Sequence, residues 1–275
     1  MYPLPDDISS VVANALVEDI GTGDLTAGLV ANDVSARAYV IAREDAILCG
    51  TAWFDEVFKQ IDNSIVVQWL SSDGNTIARD QTVCHVTGTA RAVLTGERTA
   101  LNFLQTLSGT ATVTHEFVKL LEGLETKILD TRKTVPGLRK AQKYAVQCGG
   151  GTNHRMGLYD AILIKENHIA AAGSIKAVVM ATQELAVPVE IEVENLLQLK
   201  EALVAGARSI LLDNFELDDL RQAVRINQGQ AKLEASGAVG KSTIRSIAET
   251  GVDYVSIGAL TKHVRAIDFS MRLAQ

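Results

Sequence analysis

The chain has 275 residues, of which 47% are hydrophobic, and a formal net charge of −7. This length suits one large α/β domain or two smaller domains with a substantial core. The acidic balance argues against nucleic acid as a partner, and three widely spaced cysteines argue against a disulfide framework or a structural zinc site. Because the chain starts without a secretory signal pattern and has no apolar run of membrane-spanning length, we expect a cytoplasmic protein with no membrane partner.

The first part of the chain has the pattern of an α+β module. A short helix is predicted to begin at Ser9 or Ser10. A second helix is predicted over 51–60, and the pair Asp73–Gly74 predicts a hairpin-like turn between two strands. Short β-branched runs predict three strands, at 38–42, 65–70 and 82–88.

Two more helices are predicted over 95–107 and 111–121, and we place a domain boundary near residue 108. Beyond Gly123, strand-like runs alternate with helical ones, which is typical of a parallel sheet buried on both faces. The predicted strands are 126–129, 161–164, 189–193, 209–212, 233–235 and 254–257. The predicted helices are 138–147, 174–184, 196–205, 217–227 and 242–250. Six or more such units favour a closed barrel, and no GxGxxG follows a strand as a Rossmann fold would require.

These patterns predict an N-terminal module over 1–108 and a catalytic α/β domain over 109–266. The final residues, 267–275, are expected to pack back on the first module.

One segment, 129–169, concentrates positive charge in this acidic chain. It holds seven Lys or Arg against three acids, a formal +4, which leaves −11 for the rest. The cations are Arg132, Lys133, Arg139, Lys140, Lys143, Arg155 and Lys165. Such a concentration indicates a small, multiply anionic ligand. Three consecutive glycines, Gly149–Gly151, would let the backbone approach that ligand closely.

Polar residues follow the predicted strands of this half repeatedly. Asp130–Lys133, Lys165–His168 and Asp213–Asn214 each come directly after a strand. Ligands of parallel α/β folds bind at the carboxyl ends of strands, so we expect these residues to share a site. Small residues at Ser236–Ala238 and Gly258–Ala259 follow strands and precede helices, which predicts phosphate binding by backbone N–H groups.

Three glutamates alternate along one predicted strand. Glu190, Glu192 and Glu194 should therefore share a face. Burying three carboxylates is costly unless cations or a metal ion offset them, and the neighbouring basic segment could provide that offset.

Several motifs resemble those of the quinolinate phosphoribosyltransferase family, the type II phosphoribosyltransferases. They are EDIGTGDLT at 18–26, GERTALNFLQTLSGTAT at 96–112, LDTRKTVPGLR at 129–139, YAVQCGGGTNHRMGLYDAILIKENHI at 144–169, VEIEVENL at 189–196, LLDN at 211–214, EASGAV at 234–239 and VSIGALTKHV at 255–264. The resemblance implies an N-terminal α/β sandwich and a C-terminal seven-stranded α/β barrel, one strand more than the pattern predicts. It also implies a homodimer, or a higher oligomer, in which Arg98 reaches the partner's site.

The resemblance implies an enzyme, a pentosyltransferase, with two substrates, quinolinate and 5-phosphoribosyl 1-diphosphate. The implied binding residues are Arg98, Arg132, Lys133, Thr134, His154, Arg155, Lys165, Glu192, Asp213, Ser236, Gly237, Ala238, Ile257, Gly258 and Ala259. The implied catalytic residues are Lys133, Lys165, Glu192 and Asp213. Glu192 and Asp213 would also serve the ribose hydroxyls and Mg²⁺, with Glu190 or Glu194 as alternatives to Glu192.

The implied reaction joins the quinolinate ring nitrogen to C1 of the ribose and releases diphosphate. Loss of CO₂ then gives nicotinate mononucleotide for NAD biosynthesis. Mg²⁺, held largely through the substrate, would help to neutralise the leaving group. No organic cofactor is expected, since the sequence contains no motif for one.

Three alternatives remain open at this point. Lys165, at a strand end, could be the nucleophile of a Schiff-base aldolase. The chain could instead bind phosphoribosyl diphosphate without turnover. Another pyridine carboxylate, such as nicotinate, could be the acceptor, although the excess of cations favours a dicarboxylate.

Overall fold

The computed structural model describes residues 2–31, 33–182 and 184–274. Gln183, inside a predicted helix, and Gln275, in the predicted tail, lie outside these ranges. The chain divides into two compact units. The first comprises Met1–His115, Thr134–Gly150 and Leu260–Gln275, and the second comprises Glu116–Lys133 and Gly151–Ala259.

The helices are numbered in chain order. They are α1 (Ile8–Ile20), α2 (Thr51–Ile61), α3 (Ala90–Leu120), α4 (Arg139–Cys148), α5 (Glu166–Ala172), α6 (Ile175–Thr182), α7 (Leu196–Val204), α8 (Leu217–Asn227), α9 (Ile244–Ala248) and α10 (Ala259–Lys262), with a 3₁₀ turn at Ala27–Leu29. The strands are β1 (Ser35–Ala42), β2 (Ala46–Ile47), β3 (Val66–Trp69), β4 (Thr76–Ile77), β5 (Thr82–Thr89), β6 (Lys127–Leu129), β7 (Ile162–Ile164), β8 (Val189–Val193), β9 (Ser209–Asp213), β10 (Lys232–Ser236), β11 (Tyr254–Ser256) and β12 (Phe269–Leu273).

The first unit is built on a four-stranded antiparallel sheet in the order β12-β1-β5-β3. The predicted strands β1, β3 and β5 and the predicted helix α2 are confirmed. Along α2 the side chains of Trp53, Phe54, Val57 and Phe58 are buried, a spacing that puts all four on one face of a helix. The chain's last strand, β12, pairs with β1, with Met271 opposite Val40.

The segment that contains the turn at Asp73–Gly74 connects β3 to β5, which pair antiparallel in that sheet with Trp69 opposite Cys84. The prediction of a hairpin-like turn between these two strands is therefore confirmed. The connection also contains β4, which pairs with β2 in a separate two-stranded sheet. Strands β2 and β4 were not predicted, because two-residue strands are too short to show a period.

Two helices were predicted where the structure has the single helix α3 of 31 residues. The Ser108–Gly109 pair resembles a break in sequence, yet it continues the helix. A Cβ atom at Gly109 would overlap the carbonyl oxygen of Arg265. Glycine is therefore present at this position to let two backbone segments approach closely, and it does not end the helix.

We expect Gly109→Ala to destabilise the protein, although alanine is the better helix former. Overlap with a backbone oxygen costs about 1–3 kcal/mol of unfolding free energy, which outweighs about 1 kcal/mol gained from helix propensity. Gly240→Ala is the matched control, because a Cβ there meets nothing within 4 Å. Urea unfolding of both variants is the measurement, and an unchanged or higher stability of Gly109→Ala would contradict the close-approach explanation.

The second unit contains six parallel strands in the order β6-β11-β10-β9-β8-β7. The first strand lies beside the last, as in a barrel, and the others follow in sequence order. Between β6 and β7 in the chain, Thr152 makes an isolated parallel bridge to Leu129. The described sheet therefore has six strands and this isolated bridge, one strand fewer than the seven that the resemblance implies.

All six strands predicted for this unit are confirmed, as are the helices corresponding to α7 and α8. The helix α5 was missed, because its residues Glu166–His168 resemble a polar strand-end loop. No helix in the described part of the chain is both long enough and apolar enough to cross a membrane.

Candidate active site

Polar residues of the second unit lie both at the carboxyl ends of its strands and within β8, β9 and β10. Asp130, directly after β6, is fully buried. Its Oδ1 accepts a hydrogen bond of 2.9 Å from the backbone N–H of His154, and its own N–H donates to Thr152. A buried carboxylate at a strand end thus fixes the start of the segment His154–Arg155.

Both ring nitrogens of His154 have partners inside the protein. Nδ1 accepts a 2.7 Å hydrogen bond from the backbone N–H of Arg155, and Nε2 lies 2.8 Å from Oε2 of Glu190. Because Nδ1 is an acceptor, the ring proton is assigned to Nε2, which donates to Glu190. Glu190 also accepts from the hydroxyl of Ser209 at 2.9 Å. The result is a continuous chain of hydrogen bonds from Ser209 through Glu190 and His154 to Arg155.

A second carboxylate, Glu234 on β10, completes this buried cluster. Its Oε2 lies 3.5 Å from Nε2 of His154, and the residue is 1% exposed. Burial, and then the negative charge of Glu190, raise the pKa of Glu234 from an ordinary value of 4.5 to about 7, while His154 and a hydrogen bond from Ser256 act in the opposite direction. Asp130 adds a smaller upward contribution.

The raised pKa has a consequence for stability. A carboxyl whose pKa is higher in the folded state stabilises that state below its ordinary pKa of 4.5, and this contribution is lost as pH rises through about 7. We expect Glu234→Gln, which stays neutral, to remove it. The melting temperature of the wild type relative to the variant should therefore fall as pH rises across that window.

Thermal unfolding over a pH series measures this difference. Glu194→Gln is the control, because it removes an exposed carboxylate just beyond the same barrel's β8. If the difference between wild type and Glu234→Gln does not change with pH, Glu234 does not take up a proton in the folded protein.

Two guanidinium groups lie close enough to repel each other. The pKa of Arg155 is lowered, first by burial and then by the positive charge of Arg132, and Asp160 and Glu190 offset this only in part. Arg155 Nη1 donates to the carbonyl oxygen of Ala161 at 3.2 Å, which holds the side chain in place. Like charges held together in a partly desolvated place are an arrangement that an anion stabilises.

An ion pair joins the ends of two neighbouring strands. Nζ of Lys165 lies 2.6 Å from Oε2 of Glu192, and the Glu192 side chain is 12% exposed. Glu190 and Glu192 thus both point from β8 toward the site, but Glu194 does not. Glu194 lies beyond the end of β8 and is exposed, and its N–H donates to Gln198. The prediction that three glutamates share the site was therefore wrong for Glu194, because the strand ends before it.

The last three strands end in small residues and tight turns. Asp213 accepts from the side chain of Asn214 at 2.8 Å and stands opposite Ser236 in the sheet. Gly237 has φ +142, and a Cβ there would lie 2.7 Å from Asn214 Oδ1. Ser236, Gly237 and Ala238 line a cavity of about 370 Å³, together with Ser242 and Thr243 just before α9. Such a cavity can hold a phosphate group.

Lys133, in the basic segment 129–169, lies beside Gly258, just beyond the end of β11. A Cβ on Gly258 would come within 3.0 Å of Cδ of Lys133 and 3.5 Å of Oγ1 of Thr131. The Lys133 side chain therefore lies over Gly258, and a larger residue there would have to displace it. Ile257 is buried and its backbone N–H donates to the carbonyl oxygen of Leu129 at 2.9 Å, whereas Gly258 and Ala259 are partly exposed.

Two predicted site residues belong to the first unit. Thr134 accepts a hydrogen bond from Nε of Arg139 there. Arg98 is an exposed residue of α3. Sequence reasoning missed Glu234 and Ser209, and it placed Asp130 at the site without identifying its hydrogen bond to His154. Their side chains alternate with apolar residues along buried strands or follow them directly, and this pattern alone does not distinguish a barrel interior from a surface.

Among the described residues, the predicted metal ligands do not form a preformed coordination site. Within the described residues, neither Glu192 nor Asp213 belongs to a group of three or more His, Cys, Asp or Glu ligand atoms close enough to share one ion. Glu192 is instead paired with Lys165. One or two carboxylates fit Mg²⁺ that retains water and substrate oxygens as its other ligands.

Taken together, the fold and the site define an α/β-barrel enzyme for small, multiply anionic substrates. Models of the N-terminal and C-terminal domains of quinolinate phosphoribosyl transferase match residues 24–108 and 110–272. The chain belongs to this family.

Named relatives span nearly the whole chain. A probable nicotinate-nucleotide pyrophosphorylase (carboxylating) of Bacillus subtilis is 41% identical over 267 residues, 96% of this chain and 92% of that protein. The chloroplastic nicotinate-nucleotide pyrophosphorylase (carboxylating) of Oryza sativa is 40% identical over 97% of this chain and 78% of its own length. The solved structure of the nicotinate-nucleotide pyrophosphorylase from Francisella tularensis superposes with a TM-score of 0.96 at 48% identity, covering 99% of this chain and 98% of that one.

Proposed function

We propose that this protein is a decarboxylating quinolinate phosphoribosyltransferase. It takes quinolinate and 5-phosphoribosyl 1-diphosphate and makes nicotinate mononucleotide, CO₂ and diphosphate for NAD biosynthesis. Family membership along both units supports this reaction, as do the names of relatives at 41% and 40% identity.

The fixed position of Arg155 near a second arginine carries the proposal: its backbone N–H donates to Nδ1 of His154 at 2.7 Å and its Nη1 donates to the carbonyl oxygen of Ala161 at 3.2 Å. Burial and then the positive charge of Arg132 lower the pKa of Arg155, and an anion beside the two groups offsets both effects. A dicarboxylate can accept hydrogen bonds from two guanidinium groups at once, whereas a monocarboxylate such as nicotinate uses only one carboxylate. We therefore assign quinolinate to these two arginines, with His154 acting through its hold on Arg155.

The remaining residues divide between the sugar and its phosphates. In our proposal the segments Ser236–Ala238 and Ile257–Ala259 bind the 5-phosphate, for which the small residues and the cavity at Gly237 leave room. The N–H of Ile257 donates to the carbonyl oxygen of Leu129, so the second segment would use the N–H groups of Gly258 and Ala259. Glu192 and Asp213 face the ribose hydroxyls. Lys133 and Lys165 neutralise the diphosphate as it leaves the C1 carbon, which develops positive charge that Glu192 and Asp213 stabilise.

Mg²⁺ would be bound mainly by the diphosphate, with Glu192 or Asp213 completing its shell, and would supply charge neutralisation to the leaving group. No organic cofactor is part of the proposal. Once the ring nitrogen carries the ribose, its positive charge stabilises the carbanion left at C2 when CO₂ departs, and a proton from water then forms the C2–H bond of the product.

A Schiff-base role for Lys165 is less well supported. Nζ of Lys165 is engaged by the Glu192 carboxylate at 2.6 Å, whereas an imine-forming lysine must present a free amine to a carbonyl carbon. The same pair suits a residue that has to remain cationic beside a phosphate.

We also propose a homodimer in which Arg98 completes the partner's site. The first unit leaves large apolar side chains uncovered in the single chain: Val17, Leu25 and Leu29 are 74%, 93% and 85% exposed. Uncovered apolar side chains of this size are characteristic of an interface. We place the enzyme in the cytoplasm, consistent with the absence of a membrane-spanning helix among the described residues.

A direct assay tests the proposed reaction. Quinolinate, the phosphoribosyl donor and Mg²⁺ should yield CO₂ and diphosphate in equal amounts, and nicotinate should not replace quinolinate. Arg132→Ala should lower turnover by about a hundredfold or more, because it removes charge stabilisation at the site. Arg225→Ala, on the exposed side of α8, is the matched control. Diphosphate release without CO₂ would indicate a different acceptor, and no release at all would leave only a binding protein.

Mixing two inactive variants tests the shared site. Arg98→Ala combined with Lys165→Ala should recover activity, because each heterodimer regains one site with both residues intact. Glu192→Ala combined with Lys165→Ala should recover none, because each barrel keeps one defect. Confirmed heterodimers of the first pair that stay inactive would rule out a contribution of Arg98 across the interface.

A further inference from the structure

Two of the three cysteines meet in the first unit. Cys49 lies just before α2, and Cys148 is the last residue of α4. Their sulfur atoms and a carboxylate oxygen of Asp73 all lie within 4.8 Å of one another. Only a small movement separates two sulfur atoms at this spacing from a bond.

The two thiols differ in exposure and in acidity. Cys49 is buried, and Cys148 is partly exposed. A hydrogen bond from the Cys49 thiol lowers the pKa of Cys148, whereas burial raises the pKa of Cys49 well above its ordinary value. One thiol is therefore accessible and more easily ionised, and the other is a protonated neighbour.

Asp73 is held firmly beside the pair. Its Oδ2 accepts a 2.9 Å hydrogen bond from the hydroxyl of Tyr144, and its Oδ1 accepts a 3.1 Å bond from the N–H of Thr51. The Tyr144 ring in turn packs against Trp53, with centroids 5.5 Å apart. A carboxylate fixed in this way can receive a proton from the buried thiol.

We propose that Cys49 and Cys148 are a peroxide-reactive thiol pair that closes to a disulfide. The Cys148 thiolate attacks one oxygen of hydrogen peroxide, the O–O bond breaks, and hydroxide leaves and takes up a proton to become water. The Cys148 sulfur, now a sulfenic acid, has lost two electrons to the peroxide.

The second step uses Cys49. Asp73 accepts the proton of the Cys49 thiol, the Cys49 sulfur attacks the Cys148 sulfur, and the S–O bond breaks. The departing hydroxide takes that proton from Asp73 and leaves as water. In sum, two thiols and one hydrogen peroxide give one disulfide and two waters, and an added dithiol reverses the change.

The third cysteine serves as an internal reference. Cys84 on β5 is buried, and burial raises its pKa. Within the described residues, it belongs to no cluster of thiols and carboxylates like the one around Cys148. It should therefore remain a thiol under conditions that oxidise the pair.

The test treats the full-length protein with hydrogen peroxide, blocks the remaining thiols and maps peptides by mass spectrometry. We expect a loss of two of the three free thiols, a linked Cys49–Cys148 peptide, and return of both thiols after dithiothreitol. Cys84→Ser should leave the linkage unchanged. In Cys49→Ser, dimedone should label Cys148 as a trapped sulfenic acid.

Several results would overturn the proposal. One is oxidation of Cys84 at the same rate as Cys148, and another is a Cys148–Cys148 link between chains. A third is Cys148 sulfenic acid that persists in the wild type without a linked peptide. Because two thiols and a carboxylate are also zinc ligands, stoichiometric zinc in the purified protein that blocks oxidation until it is chelated would equally contradict it. The wild-type experiment decides the outcome even if Cys49→Ser does not fold.

Discussion

The hydrogen-bond chain Ser209–Glu190–His154–Arg155 is the constraint on which the rest of the site depends. It lies among buried groups, with Asp130 and Glu234 beside it. In such surroundings an unpaired polar group costs about 1–3 kcal/mol of unfolding free energy. Each polar group in the chain therefore needs the hydrogen-bond partner that its neighbour supplies. Glu190 sets the ring proton of His154, and the ring then fixes the backbone of Arg155. An arginine held in this way can bind a carboxylate without ordering itself first.

The charged groups occupy different parts of the site because they follow the ends of different strands. Arginines gather after β6 and beyond the Thr152 bridge, Lys165 pairs with Glu192 across β7 and β8, and small residues follow β10 and β11. A dicarboxylate, a sugar and a phosphate can therefore meet different parts of one rim. The same order accounts for only part of the basic segment. Arg132, Lys133, Arg155 and Lys165 lie in the second unit with the site, whereas Arg139, Lys140 and Lys143 lie in the first unit, where Lys140 pairs with Asp6.

Much of this was predictable from the sequence, because βα units, strand-end polar residues and basic clustering depend on short-range pattern. The strands and most helices followed from apolar periodicity. Three features did not. The unbroken helix α3 depends on a contact between Gly109 and the distant Arg265. Glu194 lies outside the site because β8 ends at Val193, one residue before it. The buried partners of His154 come from strands far apart in the chain, and only tertiary structure brings Glu190 and Glu234 to one ring.

The most direct test of the positioning role of Glu190 is the dissociation constant of quinolinate, measured by calorimetry for the wild type and Glu190→Leu. Leucine removes both acceptor oxygens, so the account predicts affinity weaker by about tenfold or more, equivalent to about 1.4 kcal/mol. Glu194→Leu should bind as the wild type does. A Glu190→Leu protein that is folded by circular dichroism and binds quinolinate with unchanged affinity would contradict the claim that Arg155 is positioned through His154.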